Sequence, residues 1–165
     1  MSTTSRLSLL FVTCAALLAV AGVMGAVASP PEGVSGTFAY TSATFNSIRS
    51  AGGNLIIETS GTVAYTGTFD GTSTIRGILI IHADGSANFH DVETFTGTVN
   101  GVPGTVTLNL AGRNDSARNV VATDTITGAT GRLAGLHGVL SEVGTVTSLT
   151  GPVGTYTGQI QFDNS

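Results

Sequence analysis

Arg76, Asp91 and Glu93 are the residues whose types and placement could do chemistry. Two carboxylates and a guanidinium on one face can orient a polar group, move a proton and stabilise developing charge. Whether they share a face depends on the hairpins that carry them. Asp84-Gly85 lies between two strand-like runs and signals a two-residue turn. Ile80 then faces Phe89, Ile78 faces Asp91, and Arg76 faces Glu93. One side of the ribbon carries Arg76, Ile78, Ile80 and His82 with Phe89, Asp91, Glu93 and Phe95. Asn100-Gly101 marks the next turn. A two-residue loop there, or a four-residue loop ending at Pro103, puts Val106, Leu108 and Leu110 beside Glu93 and Phe95. Thr105, Thr107 and Asn109 fall on the other side, and so clean an alternation makes the apolar set the core face. Arg76, Asp91 and Glu93 are therefore expected to point inward as candidate catalytic groups. Ile78, Ile80, Phe89, Phe95 and Leu108 are the expected ligand-contacting side chains around them.

A charge that points inward needs a partner, because an unpaired buried carboxylate is too costly to keep. Arg76 opposite Glu93 supplies one, with bidentate geometry within reach. Two readings follow. The trio lines a ligand cavity, or it is a satisfied ion pair at a barrel mouth or capping a filled core.

No other cluster competes. His82, His90 and His137 are the three histidines, and in this register His82 and His90 occupy opposite faces of the ribbon. No metal site and no cofactor is expected. No Ser sits in a G-x-S-x-G elbow, and Gly128-Ala129-Thr130-Gly131 lacks the Lys of a phosphate loop. Asn114-Asp115-Ser116 is a glycosylation sequon in an expected loop.

The elements that must position these residues are strands. Gly36–Phe45 is one, and Asn54–Thr59 with Thr62–Thr66 are two more or a single strand bent at Gly61. Ser73–His82, Ala87–Thr98, Thr105–Leu110, Val120–Thr127 and Thr155–Phe162 follow, with Val143–Thr147 as a weaker member. Glycine punctuation, abundant Thr and no helical period predict an all-β fold, a single antiparallel barrel of about eight strands. Eight strands make a barrel wide enough either to be filled by side chains or to hold one small ligand.

The N-terminus reads as an address. Leu7–Ala21 is an apolar run, and Ala26-Val27-Ala28 fits the small-x-small rule for signal peptidase. The run is shorter than the ~20 residues a spanning helix needs, so cleavage after Ala28 and no stable membrane anchor are expected. That gives a signal peptide over 1–28, a linker over 29–35 and a barrel domain over 36–165, secreted or otherwise extracytoplasmic. The only Cys, Cys14, lies in the signal, so the exported chain has no disulfide and no thiolate for a structural zinc. Residues 1–28 hold one of six basic residues and none of the ten acidic ones, which leaves a balance of −5. With no Lys anywhere, nucleic acid is not an expected partner.

Five short motifs, in order, carry a resemblance. They are Gly67-Thr68-Phe69-Asp70-Gly71-Thr72, Asp84-Gly85-Ser86-Ala87-Asn88-Phe89, Glu93-Thr94-Phe95-Thr96-Gly97-Thr98 and Gly101-Val102-Pro103-Gly104-Thr105-Val106, then the glycine-rich run Gly128–Gly138. From about Gly36 to Phe162 the chain resembles the allene oxide cyclase-like barrel superfamily, near plant dirigent proteins. It looks closest to a mostly bacterial family of small proteins of unknown function. The resemblance implies a barrel with an interior that can take an apolar substrate, and it favours Glu93, which stands where that family shows a Glu before a Thr-Gly turn. It carries over no catalytic residues. An export signal is unusual for that bacterial family, and the Trp often found after the Gly112 region is absent.

Three functions stay open at this point. One is an exported module that binds a small apolar molecule in the barrel. Another is a cyclase or isomerase in which Glu93 and Asp91 act as acid–base or charge-stabilising groups and Arg76 orients. The third is a non-catalytic interaction barrel that forms a homo-oligomer through its outer face.

Overall fold

The computed structural model describes residues 30–148 and 150–163. The expected signal peptide lies outside the described residues. Eight strands run in order: β1 (Glu32–Ala51), β2 (Asn54–Gly67), β3 (Phe69–Ile81), β4 (Ala87–Val99), β5 (Val102–Asn114), β6 (Asn119–Gly131), β7 (Leu136–Ser148) and β8 (Gly151–Phe162). Each pairs antiparallel with its neighbour in sequence, and β1 pairs with β8 to close the barrel. The closing register runs from Glu32↔Ile160 to Ala39↔Val153, so β1 begins inside the segment read as a linker. The two pieces expected around Gly61 form one strand, β2. Strand β7 is far longer than the Val143–Thr147 fragment its sequence suggested.

The hairpins decide which side chains enter. At β4–β5 the pairs Val99↔Val102, Phe95↔Val106 and Glu93↔Leu108 confirm a two-residue turn at Asn100-Gly101. The β3–β4 hairpin differs from expectation. Its pairs are Ile81↔Ala87, Leu79↔Phe89, Gly77↔Asp91 and Ile75↔Glu93, one residue away from the predicted register. The His82 N–H donates to the Ser86 carbonyl at 2.8 Å, so Ala83-Asp84-Gly85 is a three-residue loop. Gly85 takes the left-handed backbone (φ 84°) that such loops require. The Asp84 carboxylate accepts from the Ser86 N–H (2.9 Å) and hydroxyl (2.7 Å), which fixes this shape.

One residue of slip turns every side chain of a strand over. Arg76, Ile78 and Ile80 therefore point away from the interior, and Ile75, Gly77, Leu79 and Ile81 take the inward positions. Arg76 is exposed and Ile78 is 46% exposed. The expected Arg76–Glu93 pair does not form, because the two residues lie on opposite sides of the barrel wall.

The interior is built in three levels. One end is plugged by Phe38, Tyr65, Phe69, Phe95 and Tyr156, whose rings meet edge-on or tilted at centroid distances from 5.3 to 6.4 Å. Such edge-to-face contacts add to the area these rings bury. The Tyr156 hydroxyl accepts from the Phe69 N–H at 2.8 Å and lies 3.2 Å from the Thr66 carbonyl. Leu133, from the β6–β7 turn, is fully buried and seals this end against Gly104. The middle level is polar, and the far end opens to solvent.

Candidate functional site

The middle level carries four carboxyl groups. Asp91 and Glu93 come from β4, Asp124 from β6 and Glu142 from β7, and all four are at most 5% exposed. Alternation along each strand puts them there. Asp91 and Glu93 share the inward side of β4 with Phe89 and Phe95, Asp124 lies between Ala122 and Ile126, and Glu142 follows Leu140. Leu110 of β5 joins two of them, pairing with Asp91 on one side and Asp124 on the other.

Few donors meet these groups. The Tyr65 hydroxyl crosses the barrel and donates to Glu142 Oε1 at 3.1 Å. Asp91 Oδ1, both Glu93 oxygens and both Asp124 oxygens have no hydrogen-bond partner of good geometry within the protein. All five arginines among the described residues, Arg49, Arg76, Arg113, Arg118 and Arg132, are exposed. The sequence contains no Lys. The belt is acidic and has no buried basic side chain to offset it.

Burial without a counter-charge raises carboxyl pKa values. Asp91 is pushed up to about 6 by desolvation, with His90 opposing weakly. Glu93 is raised by desolvation, and the nearby Ser73 and Tyr65 hydroxyls partly offset the shift. Desolvation, then the neighbouring Glu142, raises Asp124. Glu142 is raised by desolvation and by Glu93, while Tyr65 and Asp124 hold it down. Asp124 and Glu142 titrate as a pair, and like charges this close retain a shared proton. The phenols of Tyr40 and Tyr65 are raised well above the usual range, by burial first and the carboxylates second.

Above this belt the barrel opens into a cavity of about 460 Å³. Its wall is largely apolar: Ile75, Leu79, Ile81, Phe89, Val120 and Val146. Tyr40 and Asp91 supply polar groups inside it, and Arg118 and Asn114 border it from the β5–β6 end. Phe45, on the β1–β2 extension, also lines it and is 51% exposed. Two register shifts, at Tyr40/Ser42 and Phe45/Ser47, let β1 bend while it carries Tyr40, Ala43 and Phe45 on the cavity side. Gly77 leaves the room that Asp91 needs, since a Cβ there would collide with the Asp91 carboxylate and the His90 carbonyl. Gly112 does the same for Phe89.

The residues picked out by sequence are thus divided. Asp91 and Phe89 line the cavity, and Glu93 is buried in the belt. Phe95 and Leu108 belong to the packed core. Arg76, Ile78 and Ile80 lie outside. His82 and His90 do not take opposite faces, since the same one-residue slip sets both toward the outside. His82, at the β3–β4 turn, contacts Asn54 (3.2 Å) and Asn88 (2.9 Å). Sequence reasoning missed Asp124, Glu142, Tyr40 and Tyr65. For Asp124, the signal was present in the alternation Val120, Ala122, Asp124, Ile126. No group of His, Cys, Asp and Glu among the described residues is arranged to hold a metal ion.

Comparison with known proteins gives the fold independent support. A solved structure from Shewanella oneidensis MR-1, a protein of unknown function from the DUF3224 family, superposes with a TM-score of 0.65 at 18% identity, covering 81% of this chain and 99% of that one. No curated protein matches the chain. The family described as protein of unknown function (DUF3224) matches residues 34–146, from the first buried side chain of β1 almost to the end of β7, and the chain belongs to that family.

Proposed function

We propose that this protein is a binding module that takes one small, largely apolar molecule into the open half of its barrel. The half-filled interior carries this reading. Aromatic rings plug one end, yet a cavity of about 460 Å³ with a mainly apolar wall remains at the other. That size falls within the range of about 300–1,000 Å³ typical of small-molecule pockets. The apolar run and the Ala26-Val27-Ala28 site support export of the chain, so the ligand would be met outside the cytoplasm.

Native mass spectrometry of gently purified protein tests the reading. The expected result is extra mass that disappears on denaturation, and its loss in Leu79→Trp, where an indole occupies the cavity. Protein that never carries the mass and takes up no apolar probe would refute it.

A second reading is favoured by the raised carboxyl groups beneath the cavity. A protonated acid beside an ionised one can serve as an acid–base pair in a cyclase or isomerase, the activity class suggested by the allene oxide cyclase-like motifs. In that case Glu93→Gln keeps ligand binding and abolishes turnover. Turnover that persists unchanged in Glu93→Gln would remove Glu93 from the chemistry, and a bound ligand that the unaltered protein leaves unconverted would remove the enzyme reading and leave binding intact. Exposed Ile78, Val92, Val121 and Val143 on the outer wall support self-association as a further use, which sedimentation would detect.

A further inference from the structure

We infer that the molecule taken into the open half is an organic cation, an apolar body ending in a protonated amine whose N–H groups meet Asp91. The inference rests on the binding reading above and adds the charge of the ligand.

Three observations converge on it. Asp91 is the carboxylate that lines the cavity, and it is 5% exposed. Its Oδ1 is packed against Gly77 without a donor, so the carboxylate is short of hydrogen bonds where the residue borders the cavity. A buried carboxylate short of donors is costly, and a ligand donor to the group from the cavity side offsets that cost. The surroundings set the sign. Glu93, Asp124 and Glu142 lie in the belt beside Asp91, and the Tyr40 phenol on the cavity wall feels all four carboxylates. No arginine among the described residues is buried with them. A ligand carboxylate placed there would add another acidic group to a belt that has no buried basic side chain. An ammonium meets the charge it lacks, in a charge-assisted hydrogen bond, the stronger kind. The walls suit it too, since Tyr40 and Phe89 line the same space and aromatic rings attract cations. Arg118 is exposed at the mouth, where it would meet the outer end of a ligand rather than the end facing Asp91.

Three probes with the same alkyl chain test this: decylammonium, 1-decanol and decanoate, each titrated calorimetrically into the purified protein below its micellar concentration and at neutral pH. Decylammonium should bind about tenfold tighter than decanol, and decanoate weakest. Asp91→Asn keeps the shape and removes the charge. It should bring decylammonium down to the affinity of decanol and leave decanol itself unchanged. Leu79→Trp should abolish binding of all three.

Equal affinity for decanol and decylammonium in the unaltered protein would overturn the inference and leave the binding reading standing. Tightest binding of decanoate would do the same. A preference for ammonium that survives Asp91→Asn, or binding that survives Leu79→Trp, would place the cation on the acidic exterior and overturn the assignment to Asp91. Failure of all three probes to bind would overturn both readings. The ratio measured on the unaltered protein decides the question even if a variant fails to fold.

Discussion

Each carboxyl group of the belt has its own surroundings, and these differ enough to be tested singly. Tyr65 gives Glu142 its hydrogen bond, at 3.1 Å, from the opposite wall. Tyr65→Phe removes that donor and keeps the ring in the aromatic plug. The loss should destabilise by about 1 kcal/mol in urea unfolding at neutral pH, the usual net worth of such a bond. Asp124 gives the opposite sign. Its carboxyl is fully buried beside Glu142 and without a good donor. Asp124→Asn removes a group that the unfolded chain ionises freely and the folded chain does not. The variant should be more stable than the parent by at least about 1 kcal/mol at slightly alkaline pH, with the gain shrinking toward about pH 4. A loss of stability at alkaline pH would mean that Asp124 is held by partners other than those described. Gly77 shows the steric side of the same site. Gly77→Ala drives a methyl into the Asp91 carboxylate and the His90 backbone, and should lower the unfolding midpoint well below that of the parent.

At the scale of elements, the hairpins explain what could be read in the sequence. Asn100-Gly101 was legible because a two-residue turn fixes register by itself, and Val99↔Val102 agrees. Asp84-Gly85 carries the same kind of dipeptide signal and makes a three-residue loop instead. The difference lies in Ser86, whose N–H and hydroxyl bind the Asp84 side chain, a local competition that a dipeptide rule does not include. The core face of β4 was nevertheless assigned correctly, because β5 alternates so cleanly. Asp91 and Glu93 were therefore found, while Arg76 was assigned to the wrong side. Glu142 was hidden by β7, where Gly138 and Gly144 interrupt the apolar alternation. Only closure of the barrel brings Glu142 across from Tyr65, and no local pattern announces a contact between β2 and β7. The corrected register has a direct test. Arg76→Ala should change stability by no more than about 0.5 kcal/mol, as expected of an exposed side chain away from any buried network. A loss of several kcal/mol on calorimetric unfolding would restore the inward ion pair.

For the whole molecule, the plug and the belt act in opposite directions on stability, and pH separates them. The aromatic end is apolar, and its packing does not depend on protonation. The belt depends on it strongly. A carboxyl whose folded pKa is raised is protonated in both states below its unfolded value of about 4, and there it costs nothing. As pH rises, the unfolded chain ionises first, and each such group lowers stability by about 1.4 kcal/mol per pH unit until its folded pKa is reached. For Asp91 that window runs from about 4 up to about 6. Glu93, Asp124 and Glu142 shift in the same direction. Exposed Asp84 and Asp115 have the opposite sign. Hydrogen bonds from Ser86 and Asn119 lower their pKa values, so what they contribute is lost only as pH falls through the folded value. The balance places maximal stability near about pH 4, with a decline as pH rises toward slightly alkaline values. Thermal unfolding across that range should show it, and Asp124→Asn should flatten the alkaline side. A bound cation should flatten it as well, because an ammonium beside Asp91 favours the ionised carboxylate in the folded state and returns its pKa toward the unfolded value. Decylammonium should then raise the unfolding temperature more above about pH 6 than below it, while decanol raises it equally at both.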